Sequence, residues 1–157
     1  MKYYNYDVVF QEIPDETTLA INISGCPCHC PGCHSPFLWE DTGIELSIQE
    51  FERIVNTVIE DITCICFMGG DANPAYINHL AEYAFKHYPF LKIGWYTGRM
   101  AISKDIDLKN FDYIKVGSYI KHLGGLSSKT TNQRMYKVLH HSSTNVELKD
   151  ITYKFQK

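Results

Sequence analysis

Apolar residues recur along the chain in two rhythms, one of period two and one of helical period, and the two take turns. Tyr6–Gln11 reads as a first or edge strand, and Thr18–Ile23 (TLAINI) as a short alternating strand that runs into a cysteine-rich loop. Ser47 and Glu50 then form an S-x-x-E capping box, followed by a stripe of Ile48, Phe51, Ile54, Val55, Val58 and Ile59, which predicts a helix. Cys64–Met68 (CICFM) reads as a buried strand that stops at Gly69-Gly70. Asn73 as N-cap and Pro74 at the first helical position open a second helix, whose apolar face is Ile77, Leu80, Ala81, Ala84, Phe85 and Tyr88. Pro89 ends it. Leu91–Tyr96 is a further strand, Lys104–Asn110 a weaker helical segment, and Tyr113–Val116 another strand. Residues 120–134 turn polar and glycine-containing, as a surface loop does, and Val146–Phe155 has the character of a final edge strand.

No repeat or linker divides the sequence, so residues 1–157 are read as a single domain. Strands that alternate with helices favour an α/β fold built from parallel βαβ units. A closed eight-fold barrel needs ~250 residues. The expected architecture is therefore a partial, open β/α barrel with a mainly parallel, curved sheet. Ligands of such sheets bind at the C-terminal ends of the strands. Three glycine- or cysteine-bearing loops, Cys26–Cys33, Gly69–Asp71 and Thr97–Arg99, all fall directly after predicted strands.

Composition narrows the partners. Hydrophobic residues make up 45% and charged residues 21%, the balance of a soluble globular protein. A net charge of −3 provides no basic field for nucleic acid or an anionic membrane. No stretch approaches the ~20 apolar residues of a membrane helix. Met1–Phe10 lacks the basic start and apolar run of a signal peptide, so a cytoplasmic location is expected. Thiols stay reduced there, and the 6 Cys are then read first as ligands, catalytic groups or core fillers.

Four of those cysteines lie in Gly25-Cys-Pro-Cys-His-Cys-Pro-Gly-Cys-His34, where two prolines oppose helix formation and two glycines permit unusual turns. Three chemistries compete for such a loop. Structural zinc asks for four ligands, commonly as two separated pairs, and no second distant C-x-x-C exists; Cys64 and Cys66, at i and i+2 on a buried strand, fit core packing better. A redox-active thiol cluster is the second reading. The third is an iron–sulfur cluster on Cys26, Cys30 and Cys33, spaced C-x3-C-x2-C, with Cys28 as an extra thiol. Three ligands on four irons leave one iron open for chemistry.

The C-x3-C-x2-C loop after the first core strand resembles the signature of the radical S-adenosylmethionine enzymes. More narrowly, GCPCHCPGCHSPFLW at Gly25–Trp39, GGD at Gly69–Asp71, Tyr96-Thr97-Gly98 and Thr131-Asn132-Gln133-Arg134 resemble the small activating components of anaerobic ribonucleotide reductase. The resemblance implies a 4Fe-4S cluster with Cys26, Cys30 and Cys33 as metal ligands and S-adenosyl-L-methionine as cofactor. It implies an oxidoreductase in which reductive cleavage of that cofactor yields a 5′-deoxyadenosyl radical, and the radical takes a hydrogen atom from a glycine of the partner. Gly69, Gly70 and Asp71 would then contact the methionine part, and Thr97, Gly98 and His34 would line the cofactor site. The implied partners are the large, glycyl-radical subunit of anaerobic ribonucleotide reductase and an electron donor such as a flavodoxin. The same motifs also suit an activase of a pyruvate formate-lyase-like enzyme or a small-molecule radical enzyme, and a zinc-stabilised interaction module is the non-enzymatic alternative.

The sequence departs from that family at two places. Ile13-Pro14-Asp15 stands where a Gly-Pro-Gly stretch is common, and Lys115-Val116-Gly117 where Val-Asp-Gly is common. Two outcomes are expected at that strand end: Lys115 takes over a polar role, or the cofactor contact there is absent.

Overall fold

The computed structural model describes residues 1–30, 32–33 and 35–156. Eight strands form one sheet among these residues: β1 (Lys2–Val9), β2 (Thr18–Ile23), β3 (Ile44–Glu45), β4 (Cys64–Met68), β5 (Lys92–Tyr96), β6 (Tyr113–Val116), β7 (Arg134–His140) and β8 (Val146–Asp150), in the order β3-β1-β2-β4-β5-β6-β7-β8. Helix α1 (Ile48–Val58) precedes β4, and α2 (Pro74–His87) joins β4 to β5. No helix among the described residues is long and apolar enough to cross a membrane.

The centre of the sheet, β2-β4-β5-β6, is parallel, whereas β1, β3, β7 and β8 are attached antiparallel. The expected mainly parallel sheet thus holds only at the centre. Towards both ends of the chain β1–β2 and β7–β8 are joined too closely in sequence for a crossover, so each of these pairs folds back on itself. Two other expectations are corrected. Leu108–Asn110 is a single 3-10 turn instead of a helical segment, and the final strand stops at Asp150, followed by a 3-10 turn over Thr152–Phe155.

Alternation along the strands splits the core in two. Leu19, Ile21, Ile65, Phe67, Ile93, Trp95, Ile114 and Val116 point to the face covered by the helices, where they meet Phe51, Ile54, Val55, Ile77, Leu80 and Ala81. Cys64, Cys66 and Tyr113 point to the opposite face, packed by Ile13, Met135, Ile151 and, partly buried, Tyr96. Cys64 and Cys66 are fully buried core residues, as their spacing suggested. Burial pushes the Cys64 and Cys66 thiols well above the usual cysteine range, so both remain protonated fillers. Phe85, predicted for the core, is half exposed.

Candidate metal and cofactor centre

The C-terminal ends of β2, β4, β5 and β6 all point to one end of the sheet, and the cysteine loop grows directly out of β2. The loop is closed at its base. The Gly25 and Cys26 amides donate to the Glu40 and Leu38 carbonyls, each at 2.8 Å, and the Cys33 amide donates to the Cys30 carbonyl at 3.0 Å. His29 takes a left-handed conformation, φ 45°, and its ring stacks on Trp39 at 4.6 Å. All six cysteines are free thiols.

Gly69 and Gly70, at the end of β4, have φ 106° and 93°, a region that side chains rarely enter. A Cβ on Gly70 would also sit 2.5 Å from Ile77 Cδ1 of α2, so a side chain there would force Ile77 to shift. Trp95 Nε1 donates to the Gly69 carbonyl at 2.6 Å, and the Gly69 amide to the Tyr96 carbonyl at 3.0 Å. This carries Asp71 inward to 5% exposure. Its Oδ1 accepts from the Thr97 hydroxyl, and its Oδ2 from the Gly98 amide at 2.9 Å and from the Cys28 thiol at 3.5 Å. Burial, then the charges of Asp71 and Cys26, push the Cys28 thiol up to about 12, consistent with a protonated donor. A Cβ on Gly98 would lie 2.8 Å from Cys28 Sγ.

A cavity of about 170 Å³ brings the sequence-predicted residues together: Cys26, Cys33, Gly69, Asp71, Thr97 and Gly98 line it. Cys33, Tyr96 and Lys115 continue into a second cavity of about 420 Å³, walled by Tyr119, Leu126 and Gln133 of the loop after β6. Gly70 is buried and does not line the first cavity. Cys30 is buried. His34 lies outside the described residues. A larger cavity, about 560 Å³, opens at the other end of the strands beside Leu91, Asp112 and His140 and contains none of these groups.

The donor set suits an iron–sulfur cluster. Cys26 and Cys33 bound the same cavity, the Ser35 amide already donates to Cys33 Sγ at 3.3 Å, and Trp39 Nε1 is buried on the cavity wall without a hydrogen-bond partner among the described residues. N–H groups aimed at sulfur stabilise thiolates and clusters. The profile of the 4Fe-4S single cluster domain family matches residues 17–145. The chain belongs to that family. The matched stretch of this 4Fe-4S single cluster domain protein runs from just before β2 through β7 and holds the cysteine loop, Asp71, Thr97 and Lys115. No match was found among curated proteins or among solved structures.

Three features of this cluster domain were not legible in the sequence. Trp95 looks like an ordinary core aromatic, yet its indole fixes the Gly69 carbonyl. Tyr96, at the end of its strand, bounds both cavities, and its hydroxyl donates to the Glu12 carbonyl. The TNQR segment organises the loop after β6: Thr131 Oγ1 donates to the Gly124 carbonyl at 3.0 Å, Asn132 Nδ2 to the Ser118 carbonyl at 3.0 Å, and Gln133 Nε2 to the Gly117 carbonyl at 3.3 Å.

Proposed function

We propose that this protein activates anaerobic ribonucleotide reductase by generating a glycyl radical on its large subunit, through reductive cleavage of S-adenosylmethionine at the 4Fe-4S cluster. The observation that carries the reading is the convergence of the cysteine loop, Asp71 and Thr97-Gly98 around one cavity at the C-terminal ends of parallel strands. In this reading Cys26, Cys30 and Cys33 hold the cluster, and the sheet is an open part of a β/α barrel. The cluster, when bound, supplies the electron that breaks the sulfonium bond.

The remaining work belongs to the chain. Asp71, held by donors from β5's end and from the cysteine loop, offers a carboxylate to the amino group of the methionine part. Gly69 lets that group approach the backbone closely. The wall formed by Tyr96 and the loop after β6 shields the radical from water, and the open mouth admits a segment of the partner protein. An electron donor of the flavodoxin type in a reducing compartment such as the cytoplasm completes the scheme.

A second reading rests on one observation. The ligand atoms of Cys26, Cys28 and Asp71 lie within 4.8 Å of one another, close enough to hold a single metal ion. The match of residues 17–145 to a 4Fe-4S single cluster domain family favours the cluster over a single ion. Anaerobic reconstitution separates the two: the cluster reading expects iron and sulfide in equal amounts, and cofactor cleavage to 5′-deoxyadenosine on reduction. Alanine at Cys26, Cys30 or Cys33 should abolish cleavage, and Cys28→Ala should spare it. Zinc without sulfide, or loss of metal only in Cys26, Cys28 and Asp71 variants, would establish the single-ion site. A glycyl radical on the added reductase, seen by spin resonance, tests the partner.

A further inference from the structure

Lys115 is a buried lysine, 8% exposed, on the same face of the sheet as Cys66 and Tyr96. Its Nζ donates to the Gly117 carbonyl at 3.0 Å and to the Thr97 carbonyl at 3.4 Å, and lies 5.4 Å from the centre of the Tyr96 ring. Two carbonyls and an aromatic face form a cradle for an ammonium group. Gln133 Nε2 shares the Gly117 carbonyl, so the TNQR segment braces this cradle.

No carboxylate forms an ion pair with Lys115 among the described residues. A buried charge is costly unless something of opposite sign faces it. Burial pulls the Lys115 pKa down, while Asp71, Cys30, Cys28 and Cys66 act in the other direction. Asp71 keeps its negative charge while it accepts from Thr97, Gly98 and Cys28, and it acts on Lys115 first among these groups. Cys66 is a protonated core thiol. Thiolates of the cysteine loop add negative charge once they hold a cluster, and Lys115 lines both cavities together with Cys33.

We propose that Lys115 is a positioning residue that raises the reduction potential of the cluster held by the cysteine loop, its fixed positive charge favouring the reduced state. The proposal rests on the reading that Cys26, Cys30 and Cys33 carry a 4Fe-4S cluster. Reduction moves one electron from a low-potential donor, a reduced flavin protein or dithionite, onto the cluster, which becomes more negative by one charge with no proton taken up. A unit charge roughly 10 Å away, in an interior of effective dielectric about 20, shifts such an equilibrium by about tenfold. For a one-electron couple, tenfold corresponds to about 59 mV.

The test is an anaerobic redox titration of the reconstituted full chain, followed by the spin resonance of the reduced cluster. Iron and sulfide content and circular dichroism are measured alongside. Lys115→Met, of similar length and without charge, should load a cluster whose midpoint is more negative by about 59 mV or more, and Lys115→Arg should restore most of the difference. If Lys115→Met loads poorly, Lys115→Gln, which keeps a donor for the two carbonyls, takes its place with the same expectation. An unchanged midpoint in the neutral variants overturns the proposal. So does an unchanged midpoint with weaker binding of S-adenosylmethionine, which would assign the ammonium to the cofactor. Loss of the cluster in all three variants also overturns it and makes Lys115 structural. Wild-type protein that binds no iron and sulfide defeats the underlying reading, whereas a loaded wild type with unaltered variants defeats only the role of Lys115.

Discussion

Asp71 joins three segments of chain through its two oxygens, which makes its charge and its shape separable by mutation. Asp71→Asn keeps the shape but turns one acceptor into a donor facing either the Gly98 amide or the Thr97 hydroxyl. A buried group left without its partner costs about 1–3 kcal/mol. Urea unfolding of the metal-free variant should show a loss of that size, and the reconstituted variant should retain iron yet cleave little cofactor. Loss of iron with full stability would instead make Asp71 a metal ligand. At this scale the residues that converge on the smaller cavity could be picked out beforehand, because glycine pairs, a C-x3-C-x2-C spacing and an acid after a strand each carry a short-range chemical reason. Lys115 was readable only as a departure from a pattern. Its burial depends on β6 lying between β5 and β7, a long-range fact that no local spacing encodes.

Helix α1 shows how an element combines a local signal with a tertiary one. Ser47 Oγ accepts from the Glu50 amide at 3.1 Å, so half of the predicted capping box is present. The Glu50 carboxylate does not return to Ser47. It accepts from Arg53 at 2.6 and 2.9 Å and from the Tyr3 hydroxyl of β1. Ser47→Ala should therefore cost about 1 kcal/mol, the usual value of an N-cap, as a lowered urea midpoint. Hydrogen bonds from Arg53 and then Tyr3 hold the Glu50 carboxyl down at about 2, against an ordinary 4.5. A depressed carboxyl stabilises the fold above its unfolded value and stops doing so as pH falls through its folded value. The difference in urea midpoint between wild type and Glu50→Gln should be full above pH 4.5 and vanish as pH approaches about 2. A difference that persists at pH 2 would remove the ion pair as its cause. Elements with strong periodicity, such as α1, β4 and α2, were legible to within a residue or so. β7 was missed because only Met135 and Val138 of its seven residues are buried, too sparse a pattern to show period two.

For the whole molecule, the parallel centre and the cysteine loop are held by different forces. The centre is stabilised by two packed faces of the sheet, with Trp95, Phe51, Phe67 and Phe111 fully buried on the helical side. Among its described residues the loop contributes only Cys30 and, at its far end, Leu38 to the buried apolar set, and a few backbone bonds tie it down. A ligand that binds the folded loop stabilises what it touches in proportion to its affinity, and the thiolates supply that affinity. Removing iron should therefore loosen one segment instead of unfolding the chain, since local opening follows local burial. Hydrogen exchange of loaded and iron-free protein checks this. Amides of residues 26–40 should lose protection on iron removal, while those of β2, β4, β5 and β6 should change little. Phe67→Ala should do the reverse, lowering global stability by about 3–5 kcal/mol while still permitting a cluster to form where the fold survives. Uniform loss of protection across the sheet on iron removal would mean that the cluster belongs to the folding core, and the division between scaffold and site argued here would fail.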